Sequence, residues 1–121
     1  MTKTVRQGKR SDALRLSDME RAAALVDEIL SLGRERFVQD PVVQDAVIRR
    51  LEILGEAAGH ISDQTRRAFP SIEWSKMRGF SSFAKHEYWR VDVEKLWAAI
   101  EEIPKLRREL SRVRLDSQHS E

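Results

Sequence analysis

Between Met19 and Val113 the apolar residues return every three or four positions, and no stretch alternates with a period of two. That spacing places them on one face of successive α-helices. Hairpin signals are missing as well, since no Asn-Gly or Asp-Gly pair occurs. The chain is therefore expected to be all-α, an antiparallel bundle of about five helices.

The punctuation sets the expected boundaries. Ser17-Asp18-Met19-Glu20 has the form of a capping box that opens a first helix. Met19, Ala22, Val26, Ile29 and Leu30 form its stripe, and Gly33 suits the left-handed position past its end. A second helix opens at Asp40-Pro41, a capping carboxylate followed by a residue that needs no amide donor there. Its stripe is Val47, Leu51, Leu54, Ala58 and Ile61, widened by Ile48 and Ile53. Such a helix is expected to bury more than one side, against a core and at a subunit interface. A short third helix runs from about Asp63 to Phe69 and stops before Pro70. Ser71 is the expected cap of a fourth helix with the stripe Trp74, Met77, Phe80 and Ala84, weakened by Gly79 and Ser81-Ser82. After Asp92, a fifth helix carries Val93, Leu96, Trp97, Ile100, Ile103, Leu106, Leu110 and Val113, and Pro104 is expected to kink it.

At 121 residues the expectation is one helical domain over residues 12–115, with a flexible basic tail at 1–11 and a flexible end at 116–121. The chain has no cysteine, which removes disulfides, thiolate nucleophiles and Cys-type zinc sites together. No apolar run of about 18 residues or secretory leader is present, so the expectation is a cytoplasmic protein without a membrane span. Charged residues make up 35% of the chain, yet the net charge is only +2, so the charges mostly alternate as on exposed helix faces. Basic residues gather at both ends: Lys3, Arg6, Lys9 and Arg10, then Lys105, Arg107, Arg108, Arg112 and Arg114. These clusters read either as solvated tails or as phosphate-binding patches.

Two segments could carry chemistry. Asp45, Arg49, Glu52 and Glu56 are spaced by four, three and four, so they share one face of the second helix. The stripe reads either as a solvated face or as a charged wall lining a cleft or dimer seam. Two carboxylates four apart could hold a hard cation, but no further oxygen ligand or phosphate motif accompanies them, so no metal is expected. The second segment, Met77 to Tyr88, gathers Arg78, Ser81, Ser82, Lys85, His86 and Tyr88 among aromatics. His60 reads as a dipole partner at the end of the second helix, and His119 lies in the tail. Phosphate loops, Walker patterns, paired-His metal spacing and Gly-x-Ser-x-Gly elbows are absent, and no cofactor is expected.

The run Gln44-Asp45-Ala46-Val47-Ile48-Arg49-Arg50-Leu51-Glu52-Ile53-Leu54-Gly55-Glu56-Ala57-Ala58 resembles the second helix of the HepT-like toxins, the former DUF86 family of the HEPN superfamily. The similarity continues through Phe69-Pro70-Ser71-Ile72-Glu73-Trp74, Met77-Arg78, His86-Glu87-Tyr88, Val91-Asp92 and the helix of Trp97. It covers about Leu14 to Leu110. The resemblance implies an HEPN-like bundle that pairs as a homodimer, with an Arg-x(4–6)-His motif, often followed by x-Tyr, in the cleft. It further implies a metal-independent RNase toxin, silenced by a minimal nucleotidyltransferase antitoxin through binding and transfer of AMP to the motif tyrosine. Carried over, the arginine is Arg78, the histidine His86 and the modified tyrosine Tyr88.

That chemistry needs no metal. RNA supplies its own 2′-hydroxyl nucleophile, a neutral imidazole at His86 can take or return a proton, and Arg78 can stabilise charge on the phosphate oxygens. Two positions depart from the family's pattern. Gly79 stands where a polar residue, commonly Asn, follows the arginine, and seven residues rather than four to six separate Arg78 from His86. In a straight helix eight steps span about 12 Å, too far for one phosphate to touch both groups. Either the helix breaks near Gly79 or Ser81-Ser82, or Arg78 of one subunit serves His86 of the other. The alternative to an active nuclease is a decayed module that binds RNA, nucleotide or the nucleotidyltransferase. A purely structural helical dimer is the third reading.

Overall fold

The computed structural model describes the backbone of residues 2–86 and 92–119 and the side chains of residues 12–86 and 92–113. Within these residues the chain is all-α: α1 (Thr2–Leu30), α2 (Arg34–Gln39), α3 (Pro41–Gly59), α4 (Asp63–Ala68), α5 (Trp74–Lys85), α6 (Val93–Ile100) and α7 (Ile103–His119). Helix α3 lies between α1 and α5, α7 packs on the other side of α1, and the short α2 bridges α3 and α6. Among the described residues no helix is long and apolar enough to cross a membrane.

The expected stripes converge on a single core. Met19, Val26, Val47, Leu51, Leu54, Ala58, Ile61, Met77, Phe80, Leu96, Ile100, Ile103, Leu106, Leu110 and Val113 are all buried in it. Ile48 and Ile53, the residues that widen the α3 stripe, are half-buried against the same core. Much of the apolar width of α3 is used within one chain, where α1 covers one side of the helix and α5 another.

Several caps follow the sequence. Asp40 accepts from the Val42 amide at 3.1 Å and the Val43 amide at 3.3 Å, and Asp92 accepts from the Lys95 amide at 3.2 Å. Each satisfies amides that a helix start leaves without partners. Gly33 takes a positive φ of 92°, which L side chains rarely adopt, but its ψ of 154° is outside the left-handed helical region expected after the first helix, and it is the N-cap of α2.

Other boundaries differ from expectation. Ser17 does not open a helix, because α1 already begins at Thr2 and Ser17 lies within it. A distant contact fixes this part of α1. The Asp12 carboxylate accepts from the Ser62 amide at 3.0 Å and from the Ser62 and Thr65 hydroxyls at 2.6 Å each. Leu16, one turn on, is buried in the core. Ser71 does not cap α5. That helix begins at Trp74, its N-cap is Glu73, and no side chain bonds its first amides.

Helix α2 falls in a stretch left unassigned by periodicity. Phe37 anchors it, fully buried with its ring centroid 5.4 Å from that of Trp97. The buried Gln44 closes its end, with Nε2 donating to the Phe37 carbonyl at 2.9 Å and the Val38 carbonyl at 3.0 Å. Pro104 does more than kink the last helix. It has no amide to give the Ile100 carbonyl and its ring crowds that group, so α6 ends at Ile100 and α7 restarts at Ile103. The apolar phase survives the break, since Ile100, Ile103 and Leu106 are all buried.

Candidate active site

Helices α3 and α5 approach each other closely at Gly55. A Cβ placed on Gly55 would stand 2.4 Å from the backbone nitrogen of Ser81 and 2.7 Å from its Cβ. Only a glycine fits this crossing, and Ser81 on the facing helix keeps its own bulk small. Toward the C-terminal end of α3 the two helices leave an open groove of about 440 Å³. Gly55, Glu56, Gly59 and His60 line it from α3, and Ser75, Arg78, Gly79, Ser81 and Ser82 line it from α5.

Arg78 is exposed in this groove. Its side chain lies over Gly59, whose Cβ position would be 3.8 Å from Arg78 Nε. At that distance a Cβ would only make ordinary contact, so the Arg78 side chain lies along the end of α3 without needing a glycine there. His60, the next residue, is the C-cap of α3, and its amide donates to the Ala57 carbonyl at 3.0 Å. Its place at the end of α3 agrees with the sequence, but its presence in the groove with Arg78 comes from the helix crossing.

His86 stands apart from Arg78. Helix α5 is continuous from Trp74 to Lys85 through Gly79, Ser81 and Ser82, so none of these residues breaks it. His86 is its exposed C-cap, and its amide donates to the Ser82 carbonyl at 3.1 Å. The helical rise between the two residues is about 12 Å. Of the two geometries that could join Arg78 to His86, a local break in the helix is excluded. Tyr88 lies outside the described residues.

The polar stripe of α3 divides. Arg49 Nη1 donates to Glu52 Oε1 at 2.8 Å within the helix, an exposed pair of the kind that contributes little. Asp45 is exposed, nearly three turns before the groove begins at Gly55. Glu56 alone of the four lines the groove, and Lys85 of α5 reaches it with Nζ 3.6 Å from Oε1. Among the described residues no group of three or more His, Asp or Glu side chains is arranged to hold a metal ion.

The comparisons with known proteins decide the family. The profile of the ribonuclease HepT-like family matches residues 19–113. The chain belongs to the HepT-like ribonuclease family. The “Probable ribonuclease HepT” of Thermococcus cleftensis is 37% identical over 88% of this chain and 98% of its own length. A “Putative RNase” of Methanocaldococcus jannaschii is 31% identical over 76% of this chain and 85% of its own. Another “Putative RNase”, from Caldanaerobacter subterraneus subsp. tengcongensis, is 31% identical over 74% of this chain and 80% of its own. No solved structure matches. In this HepT-like chain the matched region takes in the groove, Arg78 and His86.

Proposed function

We propose that this chain is the toxin of a type VII, HepT/MntA-like toxin–antitoxin pair and a metal-independent endoribonuclease. The observation that carries the reading is the Arg78 groove in a chain of a ribonuclease family. A guanidinium in an open groove beside the Ser75, Ser81 and Ser82 side chains suits a phosphodiester, with the positive charge opposite the oxygens that gain charge during cleavage. The 2′-hydroxyl of the RNA is the nucleophile, and His86 takes or returns a proton. Because α5 is unbroken, Arg78 and His86 meet one phosphate across a homodimer, each subunit lending one of the two.

A minimal nucleotidyltransferase antitoxin silences the toxin by adding AMP to Tyr88. The added phosphate would compete with RNA for Arg78 and repel the RNA backbone. The active pair works in the cytoplasm without a cofactor.

The test is cleavage of a mixed RNA by pure, unmodified protein in EDTA, wild type beside His86→Ala. Cleavage by the wild type alone supports the reading. Cleavage that needs added Mg²⁺ and survives His86→Ala overturns it.

One observation favours a second reading, a decayed module that binds RNA, nucleotide or the antitoxin. Arg78 and His86 lie at opposite ends of eight helical residues, and Gly79 presents no side chain to the groove. Salt-sensitive RNA binding without turnover is its signature.

A further inference from the structure

Arg78 shares its groove with a histidine of the same protomer, His60. Both residues are exposed in the groove between α3 and α5. Arg78 is laid along Gly59, the residue next to His60 in the chain. His86 does not line that groove and lies a helical rise of about 12 Å from Arg78. We propose that His60 is a catalytic residue of this groove, contacting the same RNA phosphodiester as Arg78 and taking the proton of the 2′-hydroxyl. The proposal rests on the ribonuclease reading.

The step balances without a co-reactant. The 2′-oxygen gives its proton to the His60 imidazole and bonds to phosphorus. The P–O5′ bond breaks, and O5′ leaves with its electron pair and takes a proton from solvent or from a second imidazole. The products are a 2′,3′-cyclic phosphate and a 5′-hydroxyl end. A histidine suits the task because it exchanges protons near neutral pH. The Ser75 and Ser82 hydroxyls, exposed on the α5 wall, are placed to donate to the remaining phosphate and ribose oxygens.

Among the described residues, Arg78 lines the same groove from α5, and Glu56 lines it one turn earlier on α3, paired with Lys85 of α5. Beyond the groove, Asp63 of α4 is held by Arg66 at 3.0 Å, and Asp12 of α1 by Ser62 and Thr65.

Two measurements test this separately from the ribonuclease reading. The first is RNA cleavage in EDTA between about pH 5 and 9 by wild type and His60→Gln, the glutamine keeping a polar side chain that cannot carry the proton. His60→Gln is expected to cut about 100-fold more slowly, with the acidic limb of the rate profile lost. A His60→Gln protein that cuts at the wild-type rate with an unchanged profile overturns the proposal.

The second measurement follows the imidazole NMR signals as a 2′-O-methylated oligoribonucleotide is added, a probe that binds but lacks the nucleophile. The His60 signals are expected to move in the wild type and to stay still in Arg78→Gln. Signals that stay still in the wild type overturn the contact. A wild type that cuts no RNA defeats the ribonuclease reading and the proton transfer with it. In that case moving His60 signals still support the phosphate contact.

Discussion

Gly55 and Ser81 touch where α3 crosses α5, so closely that a single Cβ on Gly55 would fall 2.4 Å from the Ser81 backbone nitrogen. The groove holding Arg78 and His60 opens beside this crossing. The distance between the two helices sets how far Arg78 stands from the end of α3, so the site's geometry depends on a residue with no chemistry of its own.

Gly55→Ala tests that dependence. The new methyl group meets backbone rather than a flexible side-chain end, so the helices must separate. Overpacking of this kind costs about 1–3 kcal/mol, more than alanine's helix preference returns. The urea midpoint is expected to fall, and phosphate-dependent changes at Arg78 are expected to weaken even in the folded fraction.

Gly79→Ala is the opposite case on the facing helix. Nothing lies within 4 Å of a Cβ at Gly79, and its φ is an ordinary helical one. Replacing a glycine inside an exposed helix face gains up to about 1 kcal/mol. A higher melting temperature is expected, and a lower one would mean that this face of α5 is covered by something in solution.

Asp12→Ala removes a three-point tie between α1 and the start of α4. The Ser62 amide and the Ser62 and Thr65 hydroxyls all lose their shared acceptor. Unpairing half-buried donors costs about 1–3 kcal/mol. Thermal unfolding monitored by circular dichroism is expected to show that loss, while hydrogen exchange in α4 rises first because that helix is only six residues long.

Mixing Arg78→Ala with His86→Ala tests the shared site. If Arg78 and His86 act across a dimer, each mixed dimer keeps one intact pair, and random exchange restores about a quarter of the wild-type activity. If they act within one subunit, the mixture stays as inactive as either variant alone. Size-exclusion chromatography with light scattering, run on the same mixture, shows whether dimers are present to exchange.

The legible part of this protein is what neighbours along the chain decide. The stripes of α3, α5, α6 and α7 follow from residue spacing alone, because side chains three and four apart share a helix face whatever the rest of the chain does. The caps at Asp40 and Asp92 are equally local, each bonding amides within three residues. The resemblance that leads to the family rests on such runs too. Ser17 and Ser71 show where local rules lose. A capping pattern at Ser17 yields to a helix held further back by Asp12, whose partners lie fifty residues away. The six residues of α2 give no period to read, and their anchors, Trp97 and Gln44, belong to other helices.

The sequence by itself determined that the chain folds into helices with an apolar core, and its resemblance to the family offered Arg78 and His86 as expected motif positions. It could not determine which side chains share a groove. Helix spacing relates residues on one cylinder, whereas the crossing of two cylinders depends on how their surfaces fit. Only the tertiary structure decided that α5 runs unbroken between Arg78 and His86, and that Gly55 against Ser81 brings α3 close enough to set His60 in the groove of Arg78.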